Sequence, residues 1–445
     1  MKDTKYFNEF IKYTLLNIMG MLGLSCYILA DTFFVSKGLG SRGLTALNLA
    51  IPVYNFIHGT GLMLGIGGST RYSISMGTAK NKGSDTSFTN TVFLGFIMSA
   101  IYVSIGLFLS QSLTCALGAD ESVFHMTNTY LKVLLLFAPA FIFNDILICF
   151  IRNDGNPKLS MIAMITGSMS NILLDYIFIF PLNMGIFGAV FATGLAPVIS
   201  MLILSTFFIR KKHNFHLFKC RIPLLPCFSI AVSGFSSFIT EVSSGIVIIV
   251  FNIIILKLEG NTGVAAYGII ANLSLVVIAI YTGIAQGIQP IVSRFYGQSQ
   301  MAAARKILKY ATAMVIIISA VIYAAVSLKS SFFVGVFNSE NDLSLQLIAE
   351  HGIKLYFIGA VFAGINIVLS IYFSSTDHAK PSITVALLRG FILNIPIAFI
   401  LSYLGNMTGL WLTFPAAEFI TMLAGIALFV LISKRELGKL NQSLK

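Results

Sequence analysis

Charged side chains are scarce in this sequence of 445 residues. Asp, Glu, Lys and Arg together make up 10% of it, whereas hydrophobic residues make up 56%. Soluble proteins carry roughly 25% charged residues, so this composition excludes a soluble globular domain. Short stretches of alternating apolar and polar residues are also missing, which argues against a membrane β-barrel.

Enzyme motifs and metal-binding spacings are absent as well. The sequence contains no HExxH, Walker A or GxSxG arrangement, so we expect neither catalysis nor ATP-driven pumping by this chain alone, and no cofactor. Its five cysteines lack the spacing of a metal site or an obvious disulfide pair. They are predicted to be small packing residues: Cys26, Cys115, Cys149, Cys220 and Cys227.

Long apolar segments dominate what remains. Each is long enough to cross a hydrocarbon core of ~30 Å as a helix, which predicts an all-α polytopic membrane protein with twelve transmembrane helices. The first segment is too long, and too soon followed by others, for a cleavable signal peptide. The predicted spans are 10–35, 45–75, 87–110, 127–151, 158–181, 186–209, 224–257, 263–293, 306–328, 346–375, 382–404 and 407–432.

Basic residues collect in alternate loops. One set of loops is rich in Lys and Arg, and its longest member spans residues 210–221, whereas the other set holds few basic residues. The positive-inside rule therefore predicts a multi-pass protein of the cell membrane (inner or plasma) with both termini in the cytoplasm. This distribution accounts for the net charge of +12, and the apolar spans exclude a nucleic-acid binder.

The two halves of the chain resemble each other. Residues 43–77 and 263–297 have equal length at an offset of 220. We therefore predict an N-terminal six-helix lobe over residues 1–215 and a C-terminal six-helix lobe over residues 216–445. Parallel repeats of this kind commonly bind substrate between the halves and alternate access by rocking them. Channels are also built from repeats, so duplication alone does not establish transport.

A second echo links the fifth and eleventh spans. Lys158 and Ser160 match Lys380 and Ser382. Farther along the same spans, Asn171 roughly matches Asn394.

Ionisable side chains inside spans are costly and are therefore functional candidates. Asp31 and Asp175 are predicted to lie at similar depth, and Asn171 shares a helix face with Asp175. Thr193 and Tyr130 can reach the same level. Oxygen ligands suit Na⁺, whereas burial favours a protonated carboxyl group and suits H⁺, so this cluster is predicted to bind a coupling cation. The alternative is a static hydrogen-bonded network that joins helices.

The second half offers carboxylates near the middle of two spans. Glu241 in span seven and Glu418 in span twelve are predicted to face a cavity for organic cations, with Gln286 as a further lining residue. Arg389 is the alternative partner, because it would neutralise one of these carboxylates. His58 is predicted to be a packing residue, and the role of Asp145 stays open.

Five stretches carry a family resemblance over nearly the whole chain. They are ADTFFVSKGLG at 30–40, GIGGSTRYSISMG at 65–77, RNDGNPKLSM at 152–161, SNILLDYIFIF at 170–180 and GIAQGIQPIVSRFYG at 283–297. Together they resemble the multidrug and toxic compound extrusion (MATE) family, and most of all its bacterial MepA-type branch.

The resemblance implies a V-shaped pair of six-helix lobes and export of drugs or toxic organic cations, driven by inward H⁺ or Na⁺. It implies a monomer in the lipid bilayer. The family's cation cluster carries over to Asp31, Asn171, Asp175, Thr193 and Tyr130, with any Na⁺ held by the first three of these, and its second-lobe acidic residue to Glu241.

Two departures from the family pattern concern coupling. The first span has no proline, where some members bend that helix on protonation. The tenth span offers Asn366 in place of the aspartate that some members use for Na⁺. The first departure argues against the bending mechanism, and the second favours coupling at the first lobe.

One alternative function belongs to a related superfamily with the same topology. Flippases of lipid-linked precursors often line their cavity with several cationic residues. This sequence has few basic residues inside its spans, chiefly Arg389, Lys132 and Lys354, which favours the exporter over the flippase.

Overall fold

A computed structural model describes residues 2–78, 81–211, 213–218, 224–338 and 342–443. Cys220 and much of the basic loop at 210–221 lie outside these residues. The described chain is almost entirely helical and contains no strand. This confirms the predicted all-α class, because a chain in lipid must satisfy its backbone hydrogen bonds within its own helices.

The N-terminal half contains seven helices in the described residues. They are α1 (Lys2–Gly77), α2 (Asn81–Phe108), α3 (Ser110–Ala116), α4 (Phe124–Leu136), α5 (Ala138–Asn153), α6 (Pro157–Ile179) and α7 (Gly185–Ile209).

The C-terminal half repeats this pattern and adds two short irregular helical turns. Its α-helices are α8 (Leu224–Gly297), α9 (Met301–Leu328), α10 (Ser330–Gly335), α11 (Leu343–Tyr356), α12 (Ala360–Ser375), α13 (Ala379–Leu387) and α14 (Asn394–Ser443). A 3₁₀ turn at Phe357–Gly359 joins α11 to α12, and a π-helical turn at Leu388–Ile392 joins α13 to α14.

The number of membrane-crossing segments depends on how bent helices are counted. Within the described residues, eight helices are long and apolar enough to cross a membrane, or nine if the pair α4 and α5, bent by 46°, forms one span. Three of these helices are interrupted, at Gly40, at Gly260 and at Gly405 with Asn406. Counting their pieces separately agrees with about twelve spans.

The breaks in α1 and α8 follow the sequence repeat. Gly40 and Gly260 have φ values of 66° and 61°, in the left-handed region that glycine adopts without steric cost. They are separated by the same 220 positions as the two repeated segments. The duplicated sequence therefore folds into two matching helical hairpins.

The two hairpins cross each other twice through glycines. A Cβ atom at Gly234 of α8 would overlap the carbonyl oxygen of Met63 in α1. The repeat-related crossing brings Gly287 against Thr14, where an added Cβ would lie 2.8 Å from the Thr14 Cα. Both crossings need small residues because the helix backbones touch.

The π-helical turn explains the imperfect match between the fifth and eleventh spans. Ser160 and Ser382 differ by 222 positions, whereas Asn171 and Asn394 differ by 223. The turn at Leu388–Ile392 lies between the matched pairs and accommodates one extra residue. Both asparagines are therefore repeat-related despite the shifted spacing.

Each half has its own apolar core. One core consists mainly of residues from the first seven helices, and the other mainly of residues from α8 to α14. Large apolar side chains also cover the outside, such as Phe108 and Tyr403, which are 81% and 88% exposed. Exposure on this scale fits a surface whose solvent is lipid rather than water.

Candidate cation and substrate sites

Asp31 and Asp175 form a buried acid pair between two helices of the first half. Asp31 lies on α1 and Asp175 on α6, with 6% and 0% of their surfaces exposed. Their carboxyl groups lie within hydrogen-bonding range of each other, yet the Oδ1 atom of each has no hydrogen-bond partner. Two carboxylates accept but do not donate hydrogen bonds, so this pair requires a shared proton or a bound cation.

Three neutral polar residues surround the acid pair. In the orientation that satisfies its amide, Asn171 donates to Asp175 Oδ2 at 3.1 Å and accepts from the Thr193 backbone nitrogen at 3.3 Å. Tyr130 is 3% exposed and lies near Thr193. The structure thus brings all five residues of the predicted cation cluster together.

Within the described residues, no basic side chain forms an ion pair with this cluster. Across the part of the chain that the structure describes, the ion pairs involve other acids and neither Asp31 nor Asp175. A buried charge without a partner is expensive. The cluster is therefore suited to an exchangeable cation rather than to a permanent salt bridge.

A cavity opens beside the cation cluster inside the first half. It encloses about 720 Å³, including the part open to solvent, and Thr193 forms part of its wall. Its other polar lining residues include Tyr27, Tyr54, His58, Asp145, Ser168 and Gln286. Of the three residues predicted to line a substrate cavity, Gln286 is thus found on the wall of this one.

The cavity contains an ionic pair that sequence analysis missed. The His58 Nδ1 atom lies 2.9 Å from Asp145 Oδ2, and the two side chains are only 12% and 9% exposed. His58 had been predicted to be a packing residue. The available signal was one ionisable residue in each of two spans that run in the same direction, but sequence does not tell which faces of those helices meet.

Glu241 approaches this pair from the other half of the chain. A Cβ atom at Gly59, next to His58, would lie 3.2 Å from the Glu241 Cβ atom. This glutamate therefore faces the boundary between the halves, in reach of the cavity wall.

Glu418 has a different environment, and Arg389 is its partner. The Arg389 Nη2 and Nε atoms donate to Glu418 Oε1 at 2.9 Å and 3.2 Å, and Asn366 donates to Oε2 at 2.7 Å. Glu418 is 1% exposed. The alternative considered from sequence, neutralisation by Arg389, describes this geometry, and a role of Glu418 in substrate binding stays a prediction.

Replacing Glu418 by glutamine separates these two roles. Glu418→Gln leaves Arg389 buried without its counter-charge, so we expect the free energy of unfolding to fall by about 3–5 kcal/mol. Thermal unfolding of the purified protein measures this, and adding Arg389→Gln should recover part of the loss. Unchanged stability combined with weaker drug binding would instead make Glu418 a cavity residue.

Arg152 stands at the exit of the predicted fourth span, where its side chain makes contacts that the sequence does not predict. It lies near the end of α5 and is fully buried. Its Nη1 atom donates to Asn17 Oδ1 at 2.7 Å and to Gln286 Oε1 at 2.8 Å. Arg152 thereby joins α1 and α8 through neutral acceptors, a contact that no local pattern in the sequence announces.

Comparison with known proteins identifies the family. The MatE family profile matches residues 17–177 and 235–400. The multidrug export protein MepA of Staphylococcus saprophyticus is 26% identical over 436 residues, covering 98% of this chain and 96% of the relative. The MepA protein of Staphylococcus aureus strain MRSA252 is 25% identical over 433 residues, covering 96% and 94%.

Solved structures share the same fold. A multidrug resistance MATE family transporter of the MOP superfamily, in its outward-facing conformation, superimposes with a TM-score of 0.89 at 23% identity, covering 96% of this chain and 95% of that one. A MOP superfamily transporter from Pyrococcus furiosus, described as having a binding pocket of reverse polarity, gives 0.88 at 22% identity, with 94% of each chain covered.

These matches and the apolar helices define a multi-pass membrane protein of a transporter fold. The chain belongs to the MATE family and resembles its MepA branch, which confirms the resemblance found in the five sequence motifs.

Proposed function

We propose that this protein is a multidrug efflux antiporter. It exports amphipathic organic cations, such as drugs or toxic compounds, in exchange for H⁺ or Na⁺ by alternating access. The observation that supports this most strongly is the buried Asp31 and Asp175 pair, whose Oδ1 atoms lack partners, beside a cavity that shares Thr193 with the cation cluster.

The coupling of cation and substrate follows because the cation cluster and the cavity share Thr193. A cation that binds the acid pair in one access state, and an organic cation that binds the cavity in the other, need only differ in affinity between the two states. Asp31, Asp175 and Asn171 supply oxygen atoms for Na⁺, and the two acids supply a site for H⁺. Tyr130 and Thr193 complete the cluster, while Gln286, Glu241 and Glu418 remain the proposed substrate-side residues.

Alternating access requires contacts that open and close on one side. Arg71 of α1 lies 2.8 Å from Asp377, and Arg294 of α8 lies 2.8 Å from Glu9. Both ion pairs join the two halves on the side where the termini lie, which is the predicted cytoplasmic face of the cell membrane. We propose that this side opens when substrate loads and that the protein works as a monomer.

Ethidium efflux from energised vesicles tests the proposal. A pH gradient and a Na⁺ gradient are imposed separately on vesicles that contain the protein. Efflux driven by pH alone would assign H⁺ as the coupling ion, and efflux that requires Na⁺ would make the acid pair a Na⁺ site. No efflux under either gradient would contradict the antiporter, and a lipid-flipping assay would then examine the flippase alternative.

A further inference from the structure

Three ionisable side chains meet at the boundary between the halves, apart from the acid pair. His58 lies on the part of α1 that follows Gly40, Asp145 on α5 and Glu241 on α8. The His58 Nδ1 atom contacts Asp145 Oδ2 at 2.9 Å, and α8 packs closely on the neighbouring Gly59, where an added Cβ would lie 3.2 Å from the Glu241 Cβ.

The charges of this group do not cancel as the two opposite charges of a structural salt bridge do. Two carboxylates lie near one imidazole: Asp145 contacts His58, and Glu241 lies on the stretch of α8 that packs on the adjacent Gly59. A buried carboxylate needs a counter-charge, which the imidazolium form of His58 supplies to Asp145. Arg152 forms no ion pair with either carboxylate, because its Nη1 atom donates to Asn17 and Gln286 and its Nη2 atom donates to Cys149 Sγ.

The same group is open to a ligand. His58 and Asp145 line the cavity, and the ring of Tyr54 stacks on the His58 ring with centroids 5.7 Å apart and planes at 16°. A flat aromatic cation would find there both a carboxylate and a π face, the two features that attract such ions. The other titratable residues on this wall are Tyr27, Tyr54 and Cys149.

A hydrogen-bonded pair of tyrosines lies between this group and the cation cluster. The Tyr54 hydroxyl lies 2.7 Å from the Tyr27 hydroxyl. Tyr27 precedes Asp31 by four residues on α1 and therefore shares its helix face. We expect binding at the His58 group to affect the cation cluster, and the reverse, through these two tyrosines.

We propose that His58, Asp145 and Glu241 form a second cation-exchange site, in which an aromatic organic cation replaces the proton of His58. The cation docks against Asp145 and Glu241, one proton of the imidazolium leaves to solvent, and neutral imidazole remains. One positive charge enters as one departs, so the charge of the site is conserved. This inference rests on the proposed function, and it adds a proton to the exchange beyond any carried by Asp31 and Asp175.

Proton release on ethidium binding tests the second site. Ethidium is permanently charged, so a change in pH alters only the protein. The purified protein carrying both Asp31→Asn and Asp175→Asn is titrated with ethidium in weakly buffered detergent solution. Fluorescence reports ethidium binding, and an indicator dye reports the protons released. The titration is repeated between pH 6 and pH 8, the range around an unperturbed histidine. We expect about one proton to be released per ethidium bound at the most responsive pH.

Adding His58→Gln to this double variant should remove the release and flatten the pH dependence of ethidium affinity. His351→Gln is the matched control, because His351 lies on α11 and contacts Thr408, and it should leave the release unchanged. If the His58 variant does not fold, Asp145→Asn must give the same loss.

Either of two results would overturn the proposal. The first is that the acid-pair double variant binds ethidium without releasing protons, or does not bind it. The second is that proton release persists in His58→Gln. These results are distinct from failure of the proposed function, which would appear as absence of efflux from vesicles with the unmodified protein under both gradients.

Discussion

Exchanging Asp31 or Asp175 for asparagine is expected to abolish ethidium export, reducing efflux to that of vesicles without the protein. The amide of the new asparagine would donate a hydrogen bond to the remaining carboxylate. The two side chains, 6% and 0% exposed, would then satisfy each other permanently, with no need for H⁺ or Na⁺. The substitution therefore removes the need for a bound cation. Because asparagine fills the same volume as aspartate, the protein should still reach the membrane.

The measurement is efflux under each gradient, normalised to the amount of protein in the membrane. Asp120→Asn is a suitable control, because Asp120 lies in an exposed loop and its Oδ1 accepts from the Ser122 and Val123 backbone nitrogens. Asparagine can keep those contacts, so export should not change. If both acid-pair variants retain normal efflux, the pair is a static network of the kind that joins helices.

Sequence predicts the helical fold well because lipid leaves few alternatives. The predicted spans 10–35 and 45–75 border the break at Gly40, and 224–257 and 263–293 border the break at Gly260. The bend between α4 and α5 was not predicted, although Pro139 stands at the start of α5. Proline is tolerated in the first turn of a helix but cannot continue a preceding one, so the signal was present within the single span 127–151.

The sequence predicts only those parts of the candidate site that follow from the depth of each residue in the membrane. Asp31, Asp175 and their polar neighbours were grouped because they lie at one level, and the structure brings them together. His58 and Asp145 were not paired, because position along a span does not give the rotation of one helix against another. The burial of Arg152 was missed for a related reason: its acceptors, Asn17 and Gln286, are 135 and 134 residues away in sequence.

The sequence repeat predicts the backbone of the second half but not the positions of its acidic residues. The break positions and the glycine crossings of α1 and α8 obey the offset of 220, yet the acids do not. Position 251, which matches Asp31, holds phenylalanine, and position 398, which matches Asp175 after the π-helical turn, holds alanine. The scaffold is thus symmetric while the acid pair exists in one half, which fits coupling at the first lobe.

A shift in the balance between access states is expected from a substitution at the helix crossing of Gly234. In Gly234→Ala the new methyl group would overlap the Met63 carbonyl oxygen, so α1 and α8 must separate on the side where the halves are in contact. Overpacking of this kind costs about 1–3 kcal/mol. If that cost falls on the closed arrangement alone, it shifts the balance between access states by roughly 5- to 150-fold.

Gly268→Ala provides the matched comparison on the same helix, because an added Cβ there meets no atom within 4 Å. It should leave export unchanged and stabilise the helix slightly, since alanine has the higher helix propensity. Hydrogen–deuterium exchange at residues 70–77 and 290–297, where Gly77 and Gly297 bring the two hairpins together, should rise in Gly234→Ala and not in Gly268→Ala. Equal exchange in both variants would mean that the glycine crossing does not hold this side closed, and that ion pairs such as that of Arg71 with Asp377 carry the closure instead.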